Sequence, residues 1–418
     1  MCRALSTLLG THIAPDQLQG QIASLPARFG GLGLRSAERT AAPAFWASWA
    51  DALPMLEARR PALTAALLTE FGKPGSASSV VQELSAAVLK LSAEGFICIP
   101  TWSDLRQGLR PEQTFLSPEP GEWAHGWQYH ASSICESFFR RRVVLPACSP
   151  AQQAKLRSQA GPGSNAVILG CPTTTDYTIG PTVFRSVLLS RLQLPLQLTE
   201  RFCEGCGSVL DATGHHRASC TRSGRLKRRA LPLERTVGRI CREAGATVRQ
   251  NVKLRDLNLA IPASDDREIE VVAFGLSCRA GAQLAVDVTF RSPLTAAGEP
   301  HPQAATQNAV CANSARSDKE SKYPEFLESR RCALIVLALE VGGRFSDEAY
   351  GFIEELAFAK AAEAPAAMRK SARLSWQRRW TRLLACTAAR AWCNGVVAPA
   401  ALGAPADDCG PTPDWHEV

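Results

Sequence analysis

The sequence predicts a multidomain α+β protein, and three observations support this fold class. A length of 418 residues favours roughly two to four domains. A hydrophobic fraction of 45% and a charged fraction of 21% are typical of a chain that folds. Between residues 225 and 345, strand-like runs alternate with helical patterns, which indicates an α/β core with a mixed sheet.

The first region, residues 1–95, is predicted to be helical. Apolar residues recur at helical spacing over 36–53 and again over 78–95. Ser36 follows a glycine-rich turn (LPARFGGLGLRSA) and is a suitable N-cap for the first of these helices. The turn contains G-G-x-G, but no strand precedes it, so we interpret it as a turn and not as a dinucleotide-binding loop.

The remaining flanking regions have weaker patterns. Residues 96–200 are predicted to form an irregular and helical connector, with helices over 133–144 and 182–193. A basic C-terminal helix is predicted over 363–396, followed by a disordered tail over 397–418.

The region with the clearest pattern is an α/β domain predicted over 225–362. Its predicted order is helix, three strands, helix and strand. The elements are 233–246, 247–252, 268–274, 283–290, 304–323 and 332–341.

A zinc knuckle is predicted over 201–224. Cys203 and Cys206 form a C-x2-C pair, and His215 and Cys220 can complete a tetrahedral set of ligands. With His215 as the ligand, His216 is expected to face phosphate or solvent, and a His216-x3-Cys220 pair is the alternative. Incidental cysteines in a polar loop are the competing interpretation.

Positive charge is concentrated beside this motif. The chain carries a net charge of +8, and Arg222–Asp256 alone holds eleven basic and three acidic residues, a difference of 11 − 3 = +8. Residues 364–394 add seven basic residues and no acid. Such clustering suits a polyanion, so DNA is the predicted partner and RNA a second one. The predicted phosphate contacts are Arg225, Lys227, Arg228, Arg229, Arg235 and Arg239.

An acidic constellation lies in the α/β region. Glu270 and Asp287 stand in neighbouring predicted strands, and an aspartate in an apolar strand is costly to bury unless it is paired or ligated. Lys319 and Lys322 share one helical face, and Glu340 ends the fourth strand. The predicted roles are Mg²⁺ binding by Glu270 and Asp287, charge stabilisation by either lysine, and orientation of water or the lysine by Glu340. The alternative is that the acids are strand-end residues capped by arginines.

These motifs together resemble the C-terminal portion of a non-LTR retrotransposon polyprotein, over roughly residues 200–345. The resemblance implies a CCHC zinc knuckle followed by a restriction-like endonuclease domain of the PD-(D/E)-x-K superfamily. It places Glu270 at the first acidic position, where aspartate after proline is usual, and Asp287 in the "DVT" strand. Thr289 stands where a simple D-x-K nuclease has lysine, and Lys319 and Lys322 match the family's displaced lysines.

Residues 1–95 resemble the helical segment that follows the reverse transcriptase in such elements. The Y-x-D-D polymerase signature does not occur in the sequence. The expected function is therefore nucleic-acid binding with metal-dependent DNA nicking, by a truncated or domesticated fragment. The alternatives are a binding protein with a decayed nuclease and a zinc-held interaction module.

Location and cofactors follow from composition. The longest apolar run, CALIVLAL, is far shorter than the roughly 20 residues of a membrane span, so no membrane association is expected. Fifteen cysteines without a secretion signal favour reduced thiols in the nucleus or cytoplasm. Structural Zn²⁺ and catalytic Mg²⁺ are the predicted cofactors, and no small-molecule cofactor is expected. Trp376 and Trp380 either stack on bases or, as favoured here, pack the C-terminal helix onto the core.

Overall fold

The structure is a computed structural model that describes residues 2–73, 75–111, 125–196, 198 and 201–397. The predicted tail therefore lies outside the described residues except for Val397. None of the helices in the described ranges combines the length and apolarity that a membrane span requires.

The described chain contains helices and one four-stranded sheet. The helices are α1 (Cys2–Leu9), α2 (Leu18–Ser24), α3 (Ala37–Arg59), α4 (Pro61–Phe71), α5 (Ser79–Ala93), α6 (Trp102–Arg106), α7 (Trp127–Phe139), α8 (Leu145–Ala147), α9 (Pro150–Ser158), α10 (Ala166–Leu169), α11 (Pro181–Arg191), α12 (His215–Ser219), α13 (Arg225–Glu243), α14 (Val310–Lys322), α15 (Glu325–Glu328), α16 (Asp347–Ala361) and α17 (Arg369–Val396). The strands are β1 (Thr247–Lys253), β2 (Glu268–Phe274), β3 (Gln283–Arg291) and β4 (Cys332–Glu340).

The chain divides into two compact units. One comprises residues 1–22, 27–32 and 148–418, and the other comprises residues 23–26 and 33–147. This division differs from the six predicted segments, because it splits the predicted connector after residue 147 and joins its second part to the cysteine motif, the α/β region and the C-terminal helix. The α+β class with a mixed sheet is confirmed.

The smaller unit is a helical assembly around a tryptophan. Ser36 caps α3 as predicted, accepting a hydrogen bond from the backbone N–H of Arg39 at 3.4 Å. Trp46 of α3 is fully buried, and Phe96 and Trp127 meet its ring edge-on at 5.3 and 5.6 Å. Such aromatic contacts stabilise a core beyond the area that they bury.

The sheet of the larger unit has the order β1-β2-β3-β4. The first two pairings are antiparallel and β3–β4 is parallel. The predicted order of helix, three strands, helix and strand is confirmed. The helix predicted from residue 304 begins instead at Val310, because Gln303 and Ala309 adopt positive φ angles of 65° and 60°, which a right-handed helix cannot accommodate.

Each face of the sheet is covered by different helices. Helices α13, α16 and α17 pack against the face that carries Val271, Val286 and Leu337. Helices α14 and α15 pack against the face that carries Val272, Ala285 and Val336. Since side chains alternate between faces along a strand, Glu270 and Asp287 belong to the face covered by α14.

The C-terminal helix α17 is part of the larger core. Trp380 is fully buried, and its indole N–H donates to Glu243 of α13 at 2.8 Å. Trp376 is half-buried, with its ring 5.2 Å from that of Trp380. The packing interpretation is confirmed for Trp380, which has no face available for a base.

Candidate functional site

The cysteine motif forms a compact cluster. Cys203, Cys206, His216 and Cys220 place one ligand atom each within 4.8 Å of one another. The sulfur of Cys220 lies 3.8 Å from the sulfurs of Cys203 and Cys206, and Nε2 of His216 lies 3.2 Å from Cys206 Sγ. A hydrogen bond with the Ser208 side chain lowers the pKa of Cys206 to about 6, which favours the thiolate that binds metals. This group could hold a metal ion.

The histidine of the cluster is His216, so the assignment of His215 as the ligand is wrong and the alternative His216-x3-Cys220 pair is correct. Helix α12 begins at residue 215, and this short helix turns the two histidine side chains to different sides. Nδ1 of His215 lies 2.9 Å from both Thr213 Oγ1 and Asp211 Oδ1, away from the sulfurs. His216 is also buried, as a ligand of a closed site should be.

Neighbouring groups hold the two histidines in place. Asp211 accepts hydrogen bonds from the backbone N–H groups of His215 and His216 at 3.1 and 2.8 Å. Burial alone would raise the pKa of Asp211, but these contacts and the His215 side chain hold it well below its usual range. Nδ1 of His216 lies 3.0 Å from the carbonyl oxygen of Ala296, in the loop between β3 and α14. Such a partner fixes the ring orientation of a metal-ligating histidine.

Two of the predicted phosphate-binding arginines are buried, so their prediction is wrong. Arg225 donates to Glu204 and, at 3.0 Å, to the carbonyl oxygen of Gly395. Arg229 donates to the carbonyl oxygens of Ala218 and Phe290 at 2.8 and 2.7 Å. Their relative exposures are 5% and 4%, which leaves no room for a DNA backbone.

The other predicted basic residues of α13 differ among themselves. Lys227, Arg228 and Arg235 are exposed on α13. Arg239 is half-buried and bound on two sides, at 2.7 Å from Asp176 and 3.0 Å from Glu243. Lys227, Arg228 and Arg235 therefore remain accessible to a polyanion, whereas Arg239 links α13 to the turn that contains Asp176.

The predicted acidic site centres on Asp287. Its side chain is fully buried, and Nζ of Lys319 lies 2.5 Å from Oδ2. Thr289, two residues further on the same face of β3, donates to Oδ1 at 3.0 Å. A protein tolerates a buried carboxylate when a cation and hydrogen bonds compensate its negative charge. Lys319 supplies the cation here, and Thr289 supplies a hydrogen bond.

Glu270 lies beside this pair. In the antiparallel pairing of β2 and β3, Val271 lies opposite Val286. Glu270 directly precedes Val271 and Asp287 directly follows Val286, so the same register places the two acids opposite each other. Opposite residues of such a pair project from the same face. Burial, with a further contribution from the negative charge of Asp287, raises the pKa of Glu270 to about 7. Its Oε2 atom is buried and has no hydrogen-bond partner among the described residues.

A third carboxylate, Glu234, was missed by the sequence analysis. Burial and the charge of Asp287 raise its pKa, and Lys227 and Lys319 are close enough to lower it. Glu234 lies on α13, more than fifty residues before Asp287, so no local spacing links them. One signal was available, because Glu234 is the only acid between residues 225 and 242 of a strongly basic helix.

The structure separates the two lysines that the sequence left as alternatives. Lys319 meets Asp287, whereas the Lys322 ammonium is exposed and lies 4.6 Å from the centre of the Tyr323 ring. The Tyr323 hydroxyl in turn donates to the carbonyl oxygen of Glu268 at 3.2 Å. Of the two, Lys319 is the lysine of the acidic site.

Glu340 is placed outside the acidic site, so its predicted catalytic role is wrong. It lies four residues beyond Val336, the β4 partner of Asp287, which is ~13 Å along the strand. Burial raises the pKa of Glu340, and its carboxylate accepts hydrogen bonds from the Ser158 side chain and from the backbone N–H groups of Cys311 and Ala312. Those N–H groups begin α14, so Glu340 stabilises a helix N-terminus.

The acidic site brings fewer ligand atoms together than the cysteine cluster does. Among the described residues, the cysteine cluster is the group in which three or more ligand atoms converge within 4.8 Å. Mg²⁺ commonly binds to one or two carboxylates and keeps several waters, so two converging carboxylates are sufficient. The unpartnered Oε2 of Glu270 is the atom that such an ion would satisfy.

Known proteins do not identify this chain. No protein-family model matches it, and no curated protein matches it. The resemblance to retrotransposon proteins therefore stays a prediction that rests on the motifs themselves.

Proposed function

We propose that this chain is a nucleic-acid-binding endonuclease fragment of retrotransposon type, which nicks DNA with Mg²⁺ on a restriction-like α/β core. The observation that carries the proposal is the meeting of Asp287, Lys319 and the unpartnered Glu270 at one point of the mixed sheet. Two carboxylates that hold a metal ion and a cation that stabilises the developing charge are sufficient groups for metal-dependent phosphodiester cleavage. In the sequence, Asp287 and Lys319 lie 17 and 49 positions after Glu270.

Each side chain has a role that its surroundings support. Glu270 and Asp287 would hold Mg²⁺, which when bound polarises the phosphodiester and activates water. Lys319, at 2.5 Å from Asp287, would stabilise the negative charge that develops on the phosphate oxygens. Glu234, whose pKa is raised mainly by burial, adds a third negative charge near this pair.

The cysteine cluster has a different role in this proposal. Three thiols and one imidazole are the ligand set of a structural Zn²⁺ site, with no position left for a substrate. The ion would hold α12 against the loop that follows β3, through His216 and Ala296. Exposed Lys227, Arg228 and Arg235 on the adjoining helix α13 would contact DNA phosphates.

The test is a nicking assay on supercoiled plasmid, with the purified chain and Mg²⁺ titrated from zero. We expect nicking that depends on Mg²⁺ and that is lost in Glu270→Gln and in Lys319→Met. Lys322→Met is the matched control, because Lys322 lies three residues away on the same helix and should retain activity. Equal activity of both lysine variants, or nicking that persists in Glu270→Gln, would contradict the proposed site.

One observation favours a second function, that of a nucleic-acid-binding protein whose nuclease has decayed. Lys319 already neutralises Asp287 directly, so the pair is stable as an ion pair without a metal. In that case Mg²⁺ should neither raise the melting temperature of the wild-type chain nor support nicking, while DNA binding persists. Nicking, melting-temperature and DNA-binding measurements on the same purified protein discriminate between the two functions.

A further inference from the structure

The basic C-terminal helix α17 has two parts with different surroundings: residues 369–378, called the first half below, and residues 379–396, called the second half. In the second half, the arginines are bound within the larger unit: Arg379 donates to Glu243 at 2.8 Å and Arg390 to the carbonyl oxygen of Thr178 at 2.8 Å. In the first half, Arg369, Lys370, Arg373 and Arg378 are exposed. The arginines of the second half are therefore bound by groups of the larger unit, whereas the basic side chains of the first half are exposed to solvent.

Two of the three nearby acids are paired with cations outside α17. Glu363 pairs with Lys360 at 2.7 Å, whereas Glu354 keeps its negative charge, because its partner Gln377, at 2.7 Å, is neutral. Glu355 pairs with Arg279 at 2.9 Å. Residues 364–394 contain no acid at all. The surface formed by the first half of α17 is thus positively charged.

Apolar side chains are interleaved with these cations. Phe358 of α16 is 67% exposed, and the Arg373 guanidinium lies 5.9 Å from the centre of its ring. Met368 and Leu374 are 58% and 43% exposed. An exposed aromatic ring beside arginines suits a strand whose bases are unpaired, because a base stacks on the ring while cations hold the phosphates. A duplex would use the cations and leave the ring without a partner.

We propose that Phe358 and the first half of α17 bind single-stranded nucleic acid, at a site separate from the acidic site. This inference rests on the proposed function, because a site for a second strand is expected in a protein that acts on DNA. Helices α16 and α17 pack on the sheet face opposite to α14, so the bound strand lies across the sheet from Asp287 and Lys319. The site would hold a strand that is not the one being cut.

Fluorescence anisotropy of the full chain with a labelled oligothymidylate of about 20 nucleotides tests the proposal. Phe358→Ala should weaken binding about tenfold, because one stacked base is lost. Arg369→Gln with Arg373→Gln should flatten the slope of log K against log salt by about 1.4, at roughly 0.7 per phosphate contact. The control is Leu327→Ala with Arg330→Gln, which removes an exposed apolar side chain and an exposed cation elsewhere in the larger unit.

Two comparisons make the outcome decisive. Every altered side chain is exposed, so the variants should keep the wild-type melting temperature. Unchanged affinity in Phe358→Ala together with an unchanged salt slope in the α17 double variant would overturn the inference, as would preferential binding of the same surface to anionic phospholipid vesicles. If nicking is absent from the wild type while Phe358→Ala still weakens oligothymidylate binding, the nuclease proposal fails and this site stands.

Discussion

The cysteine cluster and the acidic site differ in how they are assembled. The four residues of the cluster lie within the eighteen positions from Cys203 to Cys220, on one hairpin and one short helix. The acidic site combines Glu270 of β2, Asp287 of β3 and Lys319 of α14, which span 49 positions of the chain. A site with local ligands can be predicted from spacing, whereas a site with distant ligands requires the sheet register.

The two sites also differ in how their charges are balanced. The cluster brings thiols together with one another, which is unfavourable for thiolates unless a cation is present. Asp287 pairs directly with Lys319, while the Oε2 atom of Glu270 has no hydrogen-bond partner among the described residues. We therefore expect metal removal to affect the cluster first and the acidic site less, and the predictions below test that difference.

The largest effect is expected from loss of the cluster. Cys220→Ser, or a strong chelator, should release one zinc ion and unfold residues 201–224, because so short a segment has no core of its own. Limited trypsin digestion should then cut at Arg217, which is buried in the folded chain. Zinc content measured by mass spectrometry gives the stoichiometry. Unchanged digestion after complete zinc removal would show that packing alone holds the segment.

The adjacent histidines provide a matched pair for the same site. His216→Ala should weaken zinc binding severely, because it removes a ligand, and His215→Ala should leave the zinc content at one per chain. His215→Ala removes only the contacts to Asp211 and Thr213, so a loss of about 1 kcal/mol of stability is expected. The opposite ranking of the two variants would restore the original assignment of His215.

A smaller effect is expected from the acidic site. Without Mg²⁺, Asp287→Asn should lower the free energy of unfolding by about 3–5 kcal/mol, because Lys319 loses its buried partner. Glu270→Gln should be neutral or stabilising, since it removes a buried carboxylate that has no partner. Urea unfolding of both variants measures the contrast. Equal destabilisation by the two substitutions would mean that the two carboxylates share the lysine.

We expect some basic residues of α13 to affect the free energy of unfolding and others to affect DNA binding. Arg225→Gln should lower the free energy of unfolding by about 1.5–3 kcal/mol, because it removes charged hydrogen bonds to Glu204 and to the end of α17. Lys227→Gln should change stability by less than about 0.5 kcal/mol. It should instead flatten the salt slope of duplex binding by about one unit. A change of salt slope in Arg225→Gln at unchanged stability would contradict its burial.

The smallest effect is the pH dependence from Glu270. Its pKa is raised from 4.5 to about 7, so the folded chain binds this proton more tightly than the unfolded chain does. The free energy of unfolding should therefore fall as the pH rises from about 4.5 to 7. Glu270→Gln should remove that slope. Mg²⁺ should stabilise the wild type more at pH 8 than at pH 6, which differential scanning fluorimetry can measure.

The strands of the larger unit and the residues of the cysteine motif follow from the sequence alone. Strand β2 has its predicted bounds, and β1, β3 and β4 end within one residue of theirs, because apolar β-branched runs have few alternatives to a buried strand. The C-x2-C pair and Cys220 were likewise identified by spacing. Hydrophobic pattern and short ligand spacing are local properties, and the chain encodes them within a few residues of each site.

Only the tertiary structure decided which polar residues act together. It selected His216 over His215 through the turn of α12, and Lys319 over Lys322 through the packing of α14 on the sheet. It also brought Glu234 towards Asp287 and buried Arg225 against the end of α17. Charge and hydrogen-bonding capacity are visible in a sequence, but the partner of each group depends on which surfaces meet. Contacts between distant segments settle that, because a buried polar group must find its partner wherever the fold places it.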